Sequence, residues 1–566
     1  MTQRALLHFF FPVLAVCNVY DYFMPHYIPG CKGGCASWAS VRKAASLFAD
    51  GKVPEEAGVQ CAMPGASAGN HECDCAEKNA TTYMEDSYAG PWCYCKDGTS
   101  EYCTPPNSTV EQLNLQLAAS SVVVAGFVTY EELPAGPAVA MLGTSVGNMR
   151  LIEGVSHKYS PPGRTYIMHY VAFRGLTPRQ KYYYKVKSGS NACQWTDVFS
   201  FRAPYASGLT RIATYGDMGH SHYNNMQNLK ADCASGAIDA IVHMGDHAYD
   251  LGFTHDRRGD AYMNVFQPVL QSCPWIPIIG NHESDDGDHY KRYEQIAAGE
   301  MIGQGLGINS SADTALGQHL SLGRLYGSGI HSTVPSNTSR YTSTDVGLIH
   351  IAGIDLMNFD AGQMAWLERD LQAANSNRAQ VPWIMVAAHY QLYHTSVYLN
   401  WNASAKAFFS EAGENAQQSH RFEPCREASC QTLGEWHQEI ALKLEPLLLK
   451  YGVDIYNAGH IHDYESTWPM KNGRVCQKSF ENPTCPVYIV EGNGGVPGCS
   501  GNCTLGSCSY DWCRVHGNGC GAYGRITAAD SHSLRYEHVV NSDGSVLDSF
   551  TITQAKHGPF PDEIVV

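Results

Sequence analysis

Five short runs of the 566-residue chain carry side chains able to hold metal ions: Gly216-Asp217-Met218-Gly219, Gly245-Asp246-His247-Ala248-Tyr249-Asp250, Gly280-Asn281-His282-Glu283, Ala388-His389 and Gly459-His460-Ile461-His462. Among them Asp217, Asp246, Tyr249 and Asn281 offer two carboxylates, a phenol and a carboxamide beside several imidazoles. Such a mixture of hard oxygen and borderline nitrogen donors suits a pair of first-row transition metals. Singly, each run has a plainer explanation. An aspartate after a strand commonly caps a helix, Asn-His makes a turn, and His-x-His is moderately specific because alternation along an extended segment points both rings the same way. The ordered set of five argues for a metal site.

Each run follows an apolar segment with strand character: Arg211 to Tyr215, Ala240 to Met244, Trp275 to Ile279, Trp383 to Ala388 and Asp454 to Asn457, with further strands expected at Leu348 to Ile354 and Val487 to Val490. Helical patterns at Gln363 to Ala374 and Trp436 to Tyr451 fall between them, the rhythm of a chain that builds βαβ units. In open α/β sheets ligands bind beyond the carboxyl ends of the strands, so the five runs are expected to converge. Glycine ahead of the ligand lets the backbone turn tightly toward an ion. Before Pro204, short alternating runs at Ser121 to Val128, Tyr166 to Phe173 and Lys181 to Lys187 predict an antiparallel sandwich.

The set D-x-G, G-D-x-x-Y, G-N-H-E, a strand-terminal His and G-H-x-H resembles the purple acid phosphatases within the calcineurin-like metallophosphoesterases. The resemblance implies an α/β catalytic domain, a two-sheet metallophosphoesterase βαβ sandwich, over 208–554. An all-β fibronectin-III-like domain over 110–204 would precede it, with Tyr182-Tyr183-Tyr184-Lys185-Val186 looking like part of its final strand pair. It also implies ligands: Fe(III) held by Asp217, Tyr249 and His462, a second divalent metal (Zn, Fe or Mn) held by Asn281, His389 and His460, and Asp246 bridging. Anionic phenolate and carboxylate suit ferric iron, and a neutral amide with two imidazoles suits the divalent ion. Tyr249 discriminates, since the wider superfamily has the other ligands without it.

Two metals roughly 3.5 to 4 Å apart clamp phosphoryl oxygens and lower the pKa of bound water, so a metal-bound hydroxide would attack a phosphate monoester in line. His282, beside Asn281, is expected to bind the phosphate with it or to protonate the departing alkoxide, with Glu283 either orienting it or lying in a surface ion pair. Some family members carry further substrate-contacting histidines about nine or ten residues after the strand-terminal one; here those positions are Tyr398 and Leu399, with His394 a nearer candidate. His220, His222 and His247 border the runs and are expected outside the ligand set.

The remaining sequence sets the surroundings. The chain has 38 Lys+Arg against 54 Asp+Glu, a formal charge of -16, which argues against nucleic-acid or anionic-membrane partners. A hydrophobic content of 44% excludes a disordered chain. Residues 1–17, with Arg4 and an apolar run broken by Pro12, have the layout of a secretory signal, and no later run is long enough to span a bilayer. Cleavage after Cys17 would leave an even 20 of the 21 cysteines, and six sequons (Asn79, Asn107, Asn309, Asn337, Asn402, Asn502) agree with export. Eight cysteines between Cys31 and Cys103 predict a disulfide-stapled module over 25–104, where an extracellular partner would dock. Insertions are expected near 400–433 and, with seven cysteines, near 476–520. The expected function is a secreted acid phosphatase on phosphate monoesters. The alternatives are a phosphodiesterase or nucleotidase on the same metals, or a degenerate catalytic domain anchored through the Cys-rich module.

Overall fold

The computed structural model describes residues 80–84, 92–95 and 110–560, apart from 120, 130–137, 160–165, 188–194, 205–206, 220–225, 253–255, 284–292, 294–295, 297–339, 396–429, 496–503, 507, 509 and 518–520. The expected signal, all six sequons, most of the Cys-rich module, His220, His222, Tyr398, Leu399 and the insertion up to residue 429 lie outside the described residues. Within the module, Ala80–Met84 and Trp92–Cys95 form an antiparallel pair.

Two large sheets carry the fold, and side-chain alternation shows how they stack. In Ala240–Met244, Ala240, Val242 and Met244 enter a core shared by both sheets, while Ile241 packs with the helices outside. In Trp383–Ala388 of the second sheet, Trp383, Met385 and Ala387 face that same central core, and Ile384, Val386 and Ala388 face the opposite helices. Strict period-two alternation of apolar residues on both faces requires a strand buried on both sides. The result is four layers, helix, sheet, sheet and helix, in agreement with the expected metallophosphoesterase architecture.

Thr210–Tyr215, Ala240–Met244 and Trp275–Ile278 run parallel in the first sheet, and Ile349–Ile354, Trp383–Ala388, Ile455–Ala458 and Val487–Glu491 in the second. The helix Ala361–Ser376 begins at Asp360, whose carboxylate accepts the Gln363 N–H at 2.8 Å, and buries Trp366, Leu367, Leu371 and Ala374 against the second sheet. The helix Cys430–Lys450 buries Ile440, Ala441, Leu444 and Leu448 on that same outer face. The helices Gln227–Ser235, which lacks a clear apolar stripe in sequence, and Arg257–Leu270, whose Tyr262, Val265, Phe266 and Val269 fall on one face, cover the first sheet.

Two features depart from the sequence expectation. The β region from residue 110 does form two facing four-stranded sheets, but one of them is not separate: Gln116 bridges Trp275 in parallel, making one ten-stranded sheet. The 476–520 segment is also more than an insertion. It supplies Val487–Glu491 and Cys513–Gly517 to the second sheet, and its disulfides Cys476–Cys485 and Cys508–Cys513 close short loops beside them. Among the described residues no helix is long and apolar enough to cross a membrane.

Cys233, near the end of Gln227–Ser235, is bonded to Cys273, just before Trp275–Ile278, across 40 residues of chain. Closing a loop of that length restricts the unfolded chain. Replacing both with alanine is expected to lower stability by about 2 to 4 kcal/mol, read as a lower urea midpoint, with the metal-ligand geometry intact.

Candidate metal centre

The ligand runs sit where parallel strands end. Gly216 follows Thr210–Tyr215, Gly245 follows Ala240–Met244, Asn281 lies three residues past Trp275–Ile278, His389 follows Trp383–Ala388, and Gly459 follows Ile455–Ala458. Three runs therefore leave the first sheet and two the second, and the two carboxyl edges meet. Backbone bonds fix the meeting: Gly216 N–H donates to Glu491 O at 2.8 Å, Gly494 N–H to Gly216 O at 3.0 Å, and Gly459 N–H to His389 O at 2.9 Å. A Cβ on Gly459 would lie 2.5 Å from Asp217 Oδ2, and one on Gly245, at φ +80, would lie 2.6 Å from His389 Nδ1. Only glycine fits where the loops pass so closely.

The donor atoms gather into two adjoining groups. In one, the Tyr249 phenol oxygen lies 2.9 Å from His462 Nε2 and 3.3 Å from Asp217 Oδ1, and His462 Nε2 lies 3.3 Å from Asp217 Oδ1. In the other, His389 Nε2 lies 2.9 Å from Asn281 Oδ1, 3.3 Å from Asp246 Oδ1 and 3.3 Å from His460 Nδ1. Donors spaced by about 3 Å suit an ion with bonds of roughly 2.0 to 2.2 Å. Asp217 also reaches the second group, since its Oδ2 accepts the His460 N–H at 2.7 Å. Asp217, Asp246, Tyr249 and His389 are buried, whereas His462 is 37% exposed and forms the open side.

The backbone is strained to achieve this. Asp217, Asp246, Tyr249 and His460 all have positive φ, between 50° and 70°. Non-glycine residues adopt that region at a cost of about 1 to 3 kcal/mol each, and such residues cluster at functional sites. The turn at His460 overrides the expected strand alternation: its ring joins His389, and the ring of His462 joins Tyr249.

A set of carboxylates holds these loops. Glu283 Oε2 accepts the N–H of Asp246 at 2.9 Å and of Gly280 at 2.7 Å, and its Oε1 accepts that of His247 at 2.9 Å. Glu283 is buried, so it does not take the surface ion-pair role the sequence left open, and His247 lies fully buried beside it, outside the two donor groups. Burial pushes the Glu283 carboxyl up, but the imidazole and backbone N–H of His247 outweigh this and hold it below its ordinary value. Beneath the centre, buried Glu491 joins the sheets, accepting from Thr214 Oγ1 at 2.5 Å on one and from Asn457 Nδ2 at 2.9 Å on the other. Glu491 and Asp250 were missed in sequence. Glu491-Gly492-Asn493-Gly494-Gly495, a strand end followed by glycines, was the available signal for the first.

His282 stands apart from the donors. Its Nδ1 lies 2.8 Å from Asp250 Oδ1, its Nε2 3.9 Å from Asp246 Oδ2, and its side chain is 16% exposed. His394 does not face this centre: it is buried and lies against Asp463 and Glu465, so it is no replacement for a substrate-contacting histidine.

Three family models match consecutive parts of the chain: "Purple acid Phosphatase, N-terminal domain" over 110–203, "Calcineurin-like phosphoesterase" over 210–464 and "Iron/zinc purple acid phosphatase-like protein C" over 485–549. The chain belongs to the purple acid phosphatase family. It is 30% identical over 338 residues to acid phosphatase type 7 of Homo sapiens, a match that spans 59% of this chain and 65% of the human relative's length. Acid phosphatase type 7 of Danio rerio is 27% identical over 431 residues, 74% of this chain and 83% of the relative. The solved purple acid phosphatase from yellow lupin (Lupinus luteus) seeds aligns with a TM-score of 0.56 over 84% of this chain and 79% of its own, at 19% identity, a likeness of fold alone.

In the metal-free chain the imidazoles compete with cations for these carboxylates. Burial pushes His389 down, but Asp246 and Asp217 overcome this and push it up to about 9. Burial raises Asp217, whereas Asp246, also desolvated, is pulled below its ordinary value by His389 and His282. A cation must displace the proton on His389, so metal binding is expected to release protons at neutral pH and to weaken as pH falls below about 9. Calorimetry in buffers of different ionisation enthalpy measures the release; its absence would contradict this charge balance. Glu283→Gln should weaken metal binding about 10- to 100-fold, as removal of a group that orients ligands typically does, measured by zinc titration.

Proposed function

We propose that the protein is an exported acid phosphatase that hydrolyses phosphate monoesters at a dinuclear centre of Fe(III) and a divalent Zn, Fe or Mn. Asp217, Tyr249 and His462 would hold the ferric ion, Asn281, His389 and His460 the divalent one, and Asp246 would bridge. The observation that carries the proposal is the Tyr249 phenol oxygen beside Asp217 Oδ1 and His462 Nε2, adjoining a second complete donor group. When bound, such a metal pair neutralises phosphoryl charge and supplies a hydroxide nucleophile in mild acid.

The chain's own residues do the remaining work. Asp250 accepts a proton-bearing Nδ1 of His282, which fixes that ring and leaves Nε2 directed toward Asp246 and the open side. From there Nε2–H donates to a phosphoryl oxygen with the Asn281 amide, or passes its proton to the departing alkoxide. Met244 O, 2.8 Å from His389 Nδ1, accepts the Nδ1–H of that imidazole, which leaves the Nε2 lone pair for a metal once the Nε2 proton departs. Three disulfides among the described residues support an oxidising compartment, and hence export. Hydrolysis of a diester or nucleotide by the same centre is the second reading, decided by the rim that accepts the second ester group.

Purified protein should show a visible tyrosinate-to-iron absorption and hydrolyse an aryl phosphate in mild acid. Tyr249→Phe should bleach the band, and Asn281→Ala or His460→Ala should lower turnover by about 10²-fold or more. Iron-free, colourless protein would overturn the ferric assignment, and unchanged turnover in those variants would overturn the ligand map.

A further inference from the structure

We propose that His394, Asp463, Glu465 and His516 form a separate site for one first-row divalent cation, zinc foremost. His394 Nε2 lies 2.9 Å from Asp463 Oδ1 and 3.5 Å from Glu465 Oε2, and His516 Nε2 lies 2.9 Å from Asp463 Oδ2. Ligand atoms of His394, Glu465 and His516 all fall within 4.8 Å of one another. A tetrahedral ion with bonds of about 2.1 Å keeps its donors roughly 3.4 Å apart. The cluster therefore needs only small side-chain adjustments to close on an ion.

Three separate pieces of backbone hold the donors. His394 follows the Trp383–Ala388 strand, Asp463 and Glu465 follow the Gly459-His460-Ile461-His462 run, and His516 lies in Cys513–Gly517. Glu465 and His516 are register partners across antiparallel strands, which fixes their side chains on one face of the sheet. Glu465 is further oriented by Thr395, whose hydroxyl donates to Oε2 at 2.7 Å and whose N–H donates to Oε1 at 3.1 Å. Such outer contacts are usual around metal-ligating carboxylates. The rings of His394 and His516 meet edge to face at 5.7 Å, each with Nε2 toward the carboxylates.

Burial and charge favour the same reading. His394 and Glu465 are buried, while Asp463 at 18% and His516 at 31% exposure leave an approach from solvent. Two carboxylates and two neutral imidazoles around a dication make a neutral site, whereas a buried carboxylate without a full positive partner is costly. Two imidazoles with carboxylate oxygens suit zinc or another transition metal; calcium and magnesium prefer oxygen alone. A bound ion would pin the loop after His389, the segment that carries His460 and His462, and the Cys508–Cys513 hairpin to one another. The rival account is an ion-pair network in which both histidines carry protons.

The test is zinc content of the full chain, stripped, reloaded and passed through gel filtration. Wild-type protein should retain a third zinc beyond the pair in the dinuclear centre. His516→Ala and Glu465→Gln should each lose one equivalent, and with it part of the rise in thermal midpoint that zinc produces. Asn281→Ala should lose zinc from the catalytic centre and keep this one, so failure of the dinuclear reading and of this proposal would look different. A wild type that stops at two zinc ions, or a His516→Ala protein with undiminished zinc, would overturn the proposal. An equal stability loss in zinc-free and zinc-loaded His516→Ala would assign the cluster to the ion-pair network instead.

Discussion

The burial of two carboxylates, Asp217 and Asp246, within one small pocket is the constraint on which the rest of the structure depends. Removing a carboxylate from water carries a penalty of several kcal/mol unless opposite charge is supplied in good geometry. Here the neighbours are imidazoles, a phenol and an amide; protonated His389 holds Asp246 below its ordinary value, whereas burial still raises Asp217. Four residues at positive φ add strain to the same pocket. Bound cations would replace those imidazole protons and relieve the penalty that remains at Asp217, which would couple metal binding to folding.

That penalty is sustained by the packing beneath. Alternating apolar residues from both sheets fill one continuous core, and the inter-sheet backbone bonds and Glu491 sit at the end of it nearest the ligands. Glu283 does for the first sheet what Glu491 does between sheets. With one carboxylate it receives the N–H groups of the Asp246 loop and of the Asn281 turn, so Asp246 and Asn281 are set by one anchor. Strain at four positions is tolerable because those loops are rooted in rigid strands and hydrogen-bonded to one another.

The sequence carried the centre well because metal chemistry constrains residue type at a few points, and the five runs after strands needed no long-range information. The strands Ala240–Met244 and Trp383–Ala388 were legible for a related reason, being short apolar runs without charge. What was not legible depended on tertiary contact. Gln227–Ser235 has only Leu229 and Cys233 buried among polar residues, and nothing in its pattern announces a helix over a sheet. The bridge of Gln116 to Trp275 pairs strands more than 150 residues apart. Alternation alone would have put His460 and His462 on one side, but a left-handed residue at His460 sends the rings to the two groups the resemblance implied, and Glu283 was ambiguous until its three N–H donors were located.

One segment links the two clusters. From His460 to Glu465 the chain gives two imidazoles to the dinuclear centre and then two carboxylates to the neighbouring cluster, within six residues. The charge consequences differ. In the proposed centre, a ferric and a divalent ion together would exceed two carboxylates, a phenolate and a hydroxide by about one positive charge, which would attract a phosphate to a chain of formal charge -16. The second cluster would balance the cation proposed for it and add no net field at the substrate opening. An acidic surface and an anionic substrate would be compatible on this reading because positive charge is concentrated at one point, while an ion in the adjacent cluster would stiffen the loop without competing for the phosphate.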